Sequence, residues 1–513
     1  MDNQDTQYVP GGQRQLFLDD HGIESLDGLS RTVHQPDKKG AVIRPEPGLS
    51  GREQHSIQTH SAPIWDAERK VWQLWCSSPT TISASGYFES DDGLHWYKPV
   101  MNQVEYRGSR ANHFVDYALR GHREGPATVV YDPIDPDPGR RYKSATFSSR
   151  THDVGFAVSP DGMQWTGLDD VPAVPSQDTH SLSFDEQEQL FILKTKHPGP
   201  IFLPPDAPHI PGDEAGHNSR AASLSTSRDF ANWTAPEMSF FADERDQEIG
   251  RLAIEETLGD PTRRQPEFNV PETYNAQVYN LSVFRYEGLY VGLAMMFYRS
   301  ARVSKEWPGF DEMDLPEPIL ATVRRGGDWT GIWHIQMLSS RDLRSWERVG
   351  DRQPFITPSR LDSGAYDTLC IGQPAEPVPR GEELWFYYTG IRSYAIASLK
   401  FRDQGAVCLA VLRRDGFVSL DAGEEEGALI TRPFVWNGGS LHVNVDAVGG
   451  GLKAQVLAAD GTELATSQPV NGDQTDARVV WSHGEAGLRE GQEVRLRFQL
   501  RNASFYSFWF EGG

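Results

Sequence analysis

Cysteine is scarce in this 513-residue chain: Cys76, Cys370 and Cys408 are widely spaced and odd in number. Such a set builds no disulfide framework and no Cys-x-x-Cys metal pair. Cys76 and Cys370 sit in apolar runs, which predicts buried free thiols. No window approaches the roughly 18 consecutive apolar residues of a membrane span. Positive charge is also short, with 49 Lys and Arg against 72 Asp and Glu, a net charge of −23. That balance excludes nucleic acid and an anionic membrane surface as expected partners. The opening Met1-Asp-Asn-Gln-Asp5 lacks a basic-then-apolar leader, so the expectation is a cytoplasmic protein, or a secreted one whose leader was removed. There is no Gly-x-Gly-x-x-Gly, Walker loop, His-Glu-x-x-His or Gly-x-Ser-x-Gly. No cofactor and no metal are expected, and the oligomeric state is not specified.

Aromatic residues, by contrast, are plentiful (14 Trp, 17 Tyr, 24 Phe), and one aromatic phrase repeats. Ser90-Asp-Asp92-Gly93-Leu-His-Trp96 returns as Ser159-Pro-Asp161-Gly162-Met-Gln-Trp165, then as Ser227-Arg-Asp229-Phe-Ala-Asn-Trp233 and Ser340-Arg-Asp342-Leu-Arg-Ser-Trp346. A fainter fifth copy is Arg414-Asp415-Gly416-Phe417. The Trp positions are 69, 68 and 113 residues apart. This is a repeated supersecondary unit with one insertion. Asp and Gly favour a tight turn between strands, and the Trp can pack against the next unit. Short apolar runs ending in an aromatic–acid turn (Trp65-Asp66, Tyr131-Asp132, Phe184-Asp185) precede the phrase. About four strands per unit and five units predict an all-β, five-bladed β-propeller.

The propeller is expected over residues 1–420, with the strand at Gln15-Leu-Phe-Leu18 helping to close the ring. Residues 197–220 and 300–330 read as long loops, and 243–258 as a helix with Ile249, Leu252, Ile254 and Leu258 as apolar positions. Beyond an acidic, Gly-flanked joint (Gly423-Glu-Glu-Glu-Gly427), residues 421–513 alternate apolar and polar in short runs, which predicts a small β-sandwich. The acidic stretch Asp132-Pro-Ile-Asp135-Pro-Asp137 lacks the closing Glu of a calcium loop and reads as a surface turn.

Propeller blades direct their innermost strands at a central channel, so residues at matching positions converge. Seven or eight residues before the strand-end turns at Asp66, Asp132, Asp185, Arg285 and Arg380 lie Gln58, Glu124, Asp178, Gln277 and Gln373, all polar. Nearby stand Glu53, His55, His60, Asp116, His122, Arg123, His180, Asn275, Tyr279, Asp367 and Glu376. Polar strand entrances also arise simply because they meet solvent. Two carboxylates facing a sugar are the minimum for glycoside hydrolysis, one protonated and one ionised. Glu124 and Asp178 are the candidate catalytic pair, with Arg123 holding its neighbour ionised. Gln58, His55, Arg123, His180, Asn275, Gln277, Asp367 and Gln373 are candidate substrate-binding residues.

Five units with these turns resemble the five-bladed β-propeller glycoside hydrolases of families 32, 43, 68 and 130. Arg123-Glu124-Gly-Pro126 is similar to the Arg-Asp-Pro motif of the family 32 second blade. The segment Arg495-Leu-Arg-Phe-Gln-Leu-Arg-Asn502-Ala-Ser-Phe-Tyr-Ser-Phe508 resembles that family's C-terminal module. The resemblance implies an exo-acting glycosidase with a terminal sugar in the funnel. Family 32 places its nucleophile in an Asn-Asp-Pro motif, where this chain has Gln58. Its Glu-Cys acid motif is absent, with Asp178 nearest, so fructan specificity does not carry over. Two other readings compete. One is a sialidase-like hydrolase clamping a substrate carboxylate with Arg52, Arg123, Arg220 and Arg299. The other is a non-catalytic carbohydrate-binding propeller.

Overall fold

Runs such as Val71–Ser77 and Leu190–Pro198 combine β-branched and aromatic residues, favour extended backbone, and pair antiparallel with their sequence neighbours. The computed structural model describes residues 8–45, 56–77, 85–116, 128–200, 219–266, 268–313, 316–317, 320–321, 324, 328–392, 403–483 and 488–512. Five separate sheets form the five blades. Blade one contains Gln58–Thr59, Val71–Ser77, Ser85–Ser90 and Phe114–Val115, and blade two Thr128–Tyr131, Tyr142–Ser148, Asp153–Ser159 and Thr166–Gly167. Blade three contains His180–Asp185, Leu190–Pro198, Arg220–Ser227 and Glu237–Phe240. Asn275–Tyr286, Leu289–Val303, Asp328–Ser340 and Glu347–Arg348 build blade four. Blade five takes Cys370–Gly372, Glu383–Ile391 and Gly405–Arg413 from late in the chain and Asp37–Ile43 from its start.

The repeated phrase is a turn whose Asp makes the same backbone hydrogen bonds in every full copy. Asp92 Oδ1 accepts from the amides of Leu94 and His95 at 2.8 Å each, and Ser90 Oγ accepts from Gly93 N at 2.9 Å. Asp161, Asp229 and Asp342 repeat the pattern. The fourth position has positive φ throughout: Gly93, Gly162, Phe230 and Leu343. Packing explains why only two are glycine. A Cβ on Gly162 would sit 2.4 Å from Trp75 Cζ2, and one on Gly93 2.7 Å from Tyr387 Oη. The turn carbonyls then join blades. Trp75 Nε1 donates to Gly162 O at 2.7 Å, and Tyr387 Oη donates to Gly93 O at 2.8 Å, the latter binding blade five to blade one.

Closure is therefore made by Tyr387 and by Asp37–Ile43, whose Lys38 pairs with Ala410. The strand expected to help, observed at Gln15–Leu16, pairs instead with Ala503–Glu511. It joins a curled twelve-stranded sheet with Ile23–Asp27, Ser30–Val33 and the strands from Val418 onward. This terminal sheet thus draws on both ends of the chain. Hydrogen bonding runs continuously through all twelve strands. The long strand Ser440–Ala458 allows this. Its first part pairs with Ala503–Glu511 and its second with Gln492–Arg501, with register shifts between. Beneath it, buried Asp415 accepts from Arg14, Tyr286, Asn444 and Ser507 and ties blade four, blade five and the terminal sheet together. One apolar cluster continues from blades four and five into this sheet.

The expected helix is present at Glu244–Gly259, with Asp243 and Asp246 forming a capping box. Its buried face differs from the expected stripe. Asp246, Gly250, Ile254 and Thr257 are buried while Leu252 and Leu258 are exposed. The reason is a buried ion cluster, in which Arg348 and Arg352 reach Asp246. Gly250 completes that face, since a Cβ there would lie 2.7 Å from the Tyr298 ring. The acidic turn at Asp132–Asp135 is closed by Lys143 Nζ at 2.9 and 2.8 Å, and all three cysteines are buried and free. No helix among the described residues is long and apolar enough to cross a membrane.

Candidate functional site

Asp178 stands just before the inner strand of blade three, and the next strand of that blade is stitched to it. Gln177 N donates to Lys196 O at 3.1 Å, and Lys196 N donates to Ser176 Oγ at 3.3 Å. This places Lys196 Nζ 2.7 Å from Asp178 Oδ2. Lys196 is buried, and its ammonium lies 3.7 Å above the ring of Tyr279 in blade four. Tyr279 Oη reaches Asp178 Oδ2 at 3.5 Å. Arg220 lies over the same ring at 5.5 Å and donates to Gln277 Oε1. Behind Tyr279 stand Phe297 and Trp333, stacked at 4.4 Å.

The charges tune each other. Burial raises Asp178, but Lys196, Arg220 and His60 more than offset it, and the carboxyl falls below its ordinary value. Burial likewise pulls Lys196 down to about 8, with Arg220 adding to the fall and Asp178 opposing it. His60 is lowered by burial, against the opposing effects of Gln373 and Asp178. The arrangement therefore holds an ionised carboxylate, about half exposed, on a floor of aromatic rings.

Gln373 joins the blades beside this pair. Its Oε1 accepts from Asn280 Nδ2 and lies 3.0 Å from His60 Nδ1, and its Nε2 donates to His180 O at 2.9 Å. Beyond it, His60, Ser61, Ser183, Ser282 and Glu376 line a small cavity with residues from all five blades. Among the described residues, Ser183 and Ser282 have no hydrogen-bond partner for their hydroxyls.

The structure thus brings together Asp178, Gln277 and Gln373, with His60, Tyr279 and Asn280. Gln58 is half-buried and donates to Ser56 Oγ at 3.2 Å. Two candidates are engaged elsewhere. Asp367 is buried, with Lys38 Nζ at 2.7 Å and Tyr388 Oη at 2.9 Å, so its carboxylate serves the contact between blade five and the N-terminal strand. The His180 ring faces blade two, with Nε2 3.1 Å from Thr128 Oγ1 and 3.2 Å from Ala145 O. His55, Arg123 and Glu124, with Arg52, Glu53 and His122, lie outside the described residues. Lys196 was missed by sequence reasoning. Its signal was a lysine at every second position, Lys194 and Lys196, in an otherwise apolar central strand. Among the described residues, His442, Asp476 and Glu511 have metal-ligand spacing. Each carboxylate there faces one ring nitrogen, at 2.6 and 3.5 Å.

No protein-family model and no curated protein matches the chain. Among solved structures, it is similar to an N-acetylgalactosamine deacetylase from F. plautii in complex with blood group B trisaccharide. Identity is 13% over 74% of this chain and 96% of that one, with a TM-score of 0.42. It is also similar to a family 43 arabinoxylan arabinofuranohydrolase from Bacillus subtilis in complex with cellotetraose, at 10% identity over 92% and 99% of the two chains and a TM-score of 0.37. A third similar structure is a family 130 protein, from a report of glycoside hydrolases that target β-1,2 mannosidic linkages in Candida mannan. It is 12% identical over 76% and 94%, with a TM-score of 0.36.

Proposed function

We propose that the protein is a glycoside hydrolase that holds a terminal sugar in the propeller funnel and uses Asp178 as its ionised carboxylate. The observation that carries this reading is the Asp178–Lys196 pair on the Tyr279 ring, where the inner strands converge. A carboxylate kept ionised beside an aromatic floor suits attack on a sugar carbon or activation of water. Gln277 supplies an amide for hydroxyl groups. Glu124, at the matching position of blade two, is the proposed acid, with His55, Arg123 and Gln58 nearby in sequence register. Lys196 is a positioning residue that sets the charge of Asp178.

The test is Asp178→Asn, assayed on a panel of aryl glycosides and neutral oligosaccharides. Turnover is expected to fall by about 10² or more, the usual cost of losing such a group, with the circular dichroism spectrum unchanged. A variant that hydrolyses the same substrate at near wild-type rate would place the chemistry elsewhere.

A further inference from the structure

Outside the funnel mouth, a second cavity of about 520 Å³ lies between the helix Glu244–Gly259 and blade four. That size falls within the roughly 300–1,000 Å³ of small-ligand sites. Ile254 and Leu258 line it from the helix, and Tyr274, Asn275 and Arg299 from the blade. The helix is fixed there by its own side chain. Gln247 Nε2 donates to Ala276 O at 3.0 Å, and its Oε1 accepts from Ala276 N at 2.6 Å.

Asn275 is the telling residue. It is 2% exposed, yet among the described residues neither its Nδ2 nor its Oδ1 has a hydrogen-bond partner. A buried amide with both ends unmade is costly, and native proteins rarely keep one without a use. Beside it the half-buried Tyr274 ring is pinned by a hydrogen bond from its hydroxyl to Asn269 Oδ1. An amide can give one hydrogen bond and take another from adjacent hydroxyls, while a ring face covers the C–H side of a sugar. Two residues along the same strand, Gln277 Nε2 is also buried without a partner, and Gln277 binds Arg220 above Tyr279. The strand therefore leads from this cavity to Asp178.

We infer that this cavity is a subsite for a further neutral sugar unit of the substrate, with Tyr274 as platform and Asn275 as the hydroxyl-reading group. The inference rests on the glycosidase reading of the funnel and deepens it: the substrate is an oligosaccharide rather than a simple glycoside.

Binding of xylo-, arabino-, manno- and cello-tetraose, and of the four corresponding methyl monosaccharides, is measured by saturation-transfer NMR and calorimetry on Asp178→Asn protein. Asn275→Ala and Tyr274→Ala are then added to that background. At least one tetrasaccharide is expected to bind, and each added substitution to weaken it about tenfold, the loss of roughly one good contact. Binding of the methyl glycoside should be unchanged. Asn275→Ala should also melt no lower than its parent, because it removes an unpaired buried amide. Tetrasaccharide binding insensitive to both substitutions overturns the subsite while leaving the funnel reading standing. A lower melting temperature with unchanged binding assigns Asn275 a structural role and also overturns it. If no saccharide of either set binds, the glycosidase reading fails and the subsite with it.

Discussion

Replacing Lys196 with methionine separates two accounts of the Asp178 pair. In the folded protein Lys196 titrates at about 8 rather than 10.5, mainly because it is buried. Below pH 8 the ammonium is charged in both states, and this depression destabilises the fold by about 3 kcal/mol. As pH rises from about 8 to 10.5, the unfolded chain holds a proton that the folded one has released, and the deficit disappears. Lys196→Met removes it at every pH, but also removes the ammonium–Tyr279 contact, worth about 2 kcal/mol when desolvated. Asp178, half exposed, regains water. The variant should therefore lie within about 1 kcal/mol of wild type in urea unfolding at pH 7 and lose ground relative to it toward pH 10. Activity should respond differently. Without the Lys196 charge, burial raises the Asp178 pKa, and the acid limb of the pH–rate profile moves to higher pH. A loss of about 3–5 kcal/mol at pH 7, as when one member of a fully buried ion pair is removed, would refute the reasoning and make the pair a structural staple.

Gly162→Ala combines a φ of +73° with a Cβ 2.4 Å from Trp75. It should cost about 2–4 kcal/mol by denaturant melts, against about 1 kcal/mol for Gly364→Ala, where φ is +70° but space is open. Equal losses would show that backbone conformation, not the approach of the next blade, demands the glycine.

The blade count was legible because the turn phrase is local. Its Ser, Asp and Gly or left-handed residue satisfy one another's backbone within five positions, so the pattern survives in sequence. The helix was legible from its period, but its buried face was not, since that face is set by Arg348 and Arg352, some hundred residues away. Asp178 could be found by counting from the strand-end turn, whereas Lys196 could not, because burial of its ammonium depends on a ring from the next blade. The contacts of Asp367 with Lys38 and of the His180 ring with Thr128 could not be read from the sequence for the same reason. Polar residues near a strand entrance can turn toward the channel or toward a neighbouring strand, and only tertiary packing decides between them. The three N-terminal strands joined the terminal sheet by pairing with Ala503–Glu511, Gly427–Thr431 and Val418–Ala422, long-range partners that short windows do not reveal.

Blade five borrows its outer strand from Asp37–Ile43, which meets Gly405–Arg413 roughly 370 residues later. At about 5–20 residues per second, a ribosome needs roughly 20–75 s to supply that partner. Throughout that interval the early strand has no mate, and the finished blades stand as an open arc with the edge of Asp37–Ile43 bare. A nascent chain in this state is vulnerable to pairing with its neighbours on the same messenger. Lys38 and Lys39 in the waiting strand are the kind of residues that discourage such pairing. Once seated, the strand becomes a latch: the arc cannot reopen without peeling away the first forty residues, so resistance to proteolysis should arrive abruptly, at the end of synthesis rather than blade by blade.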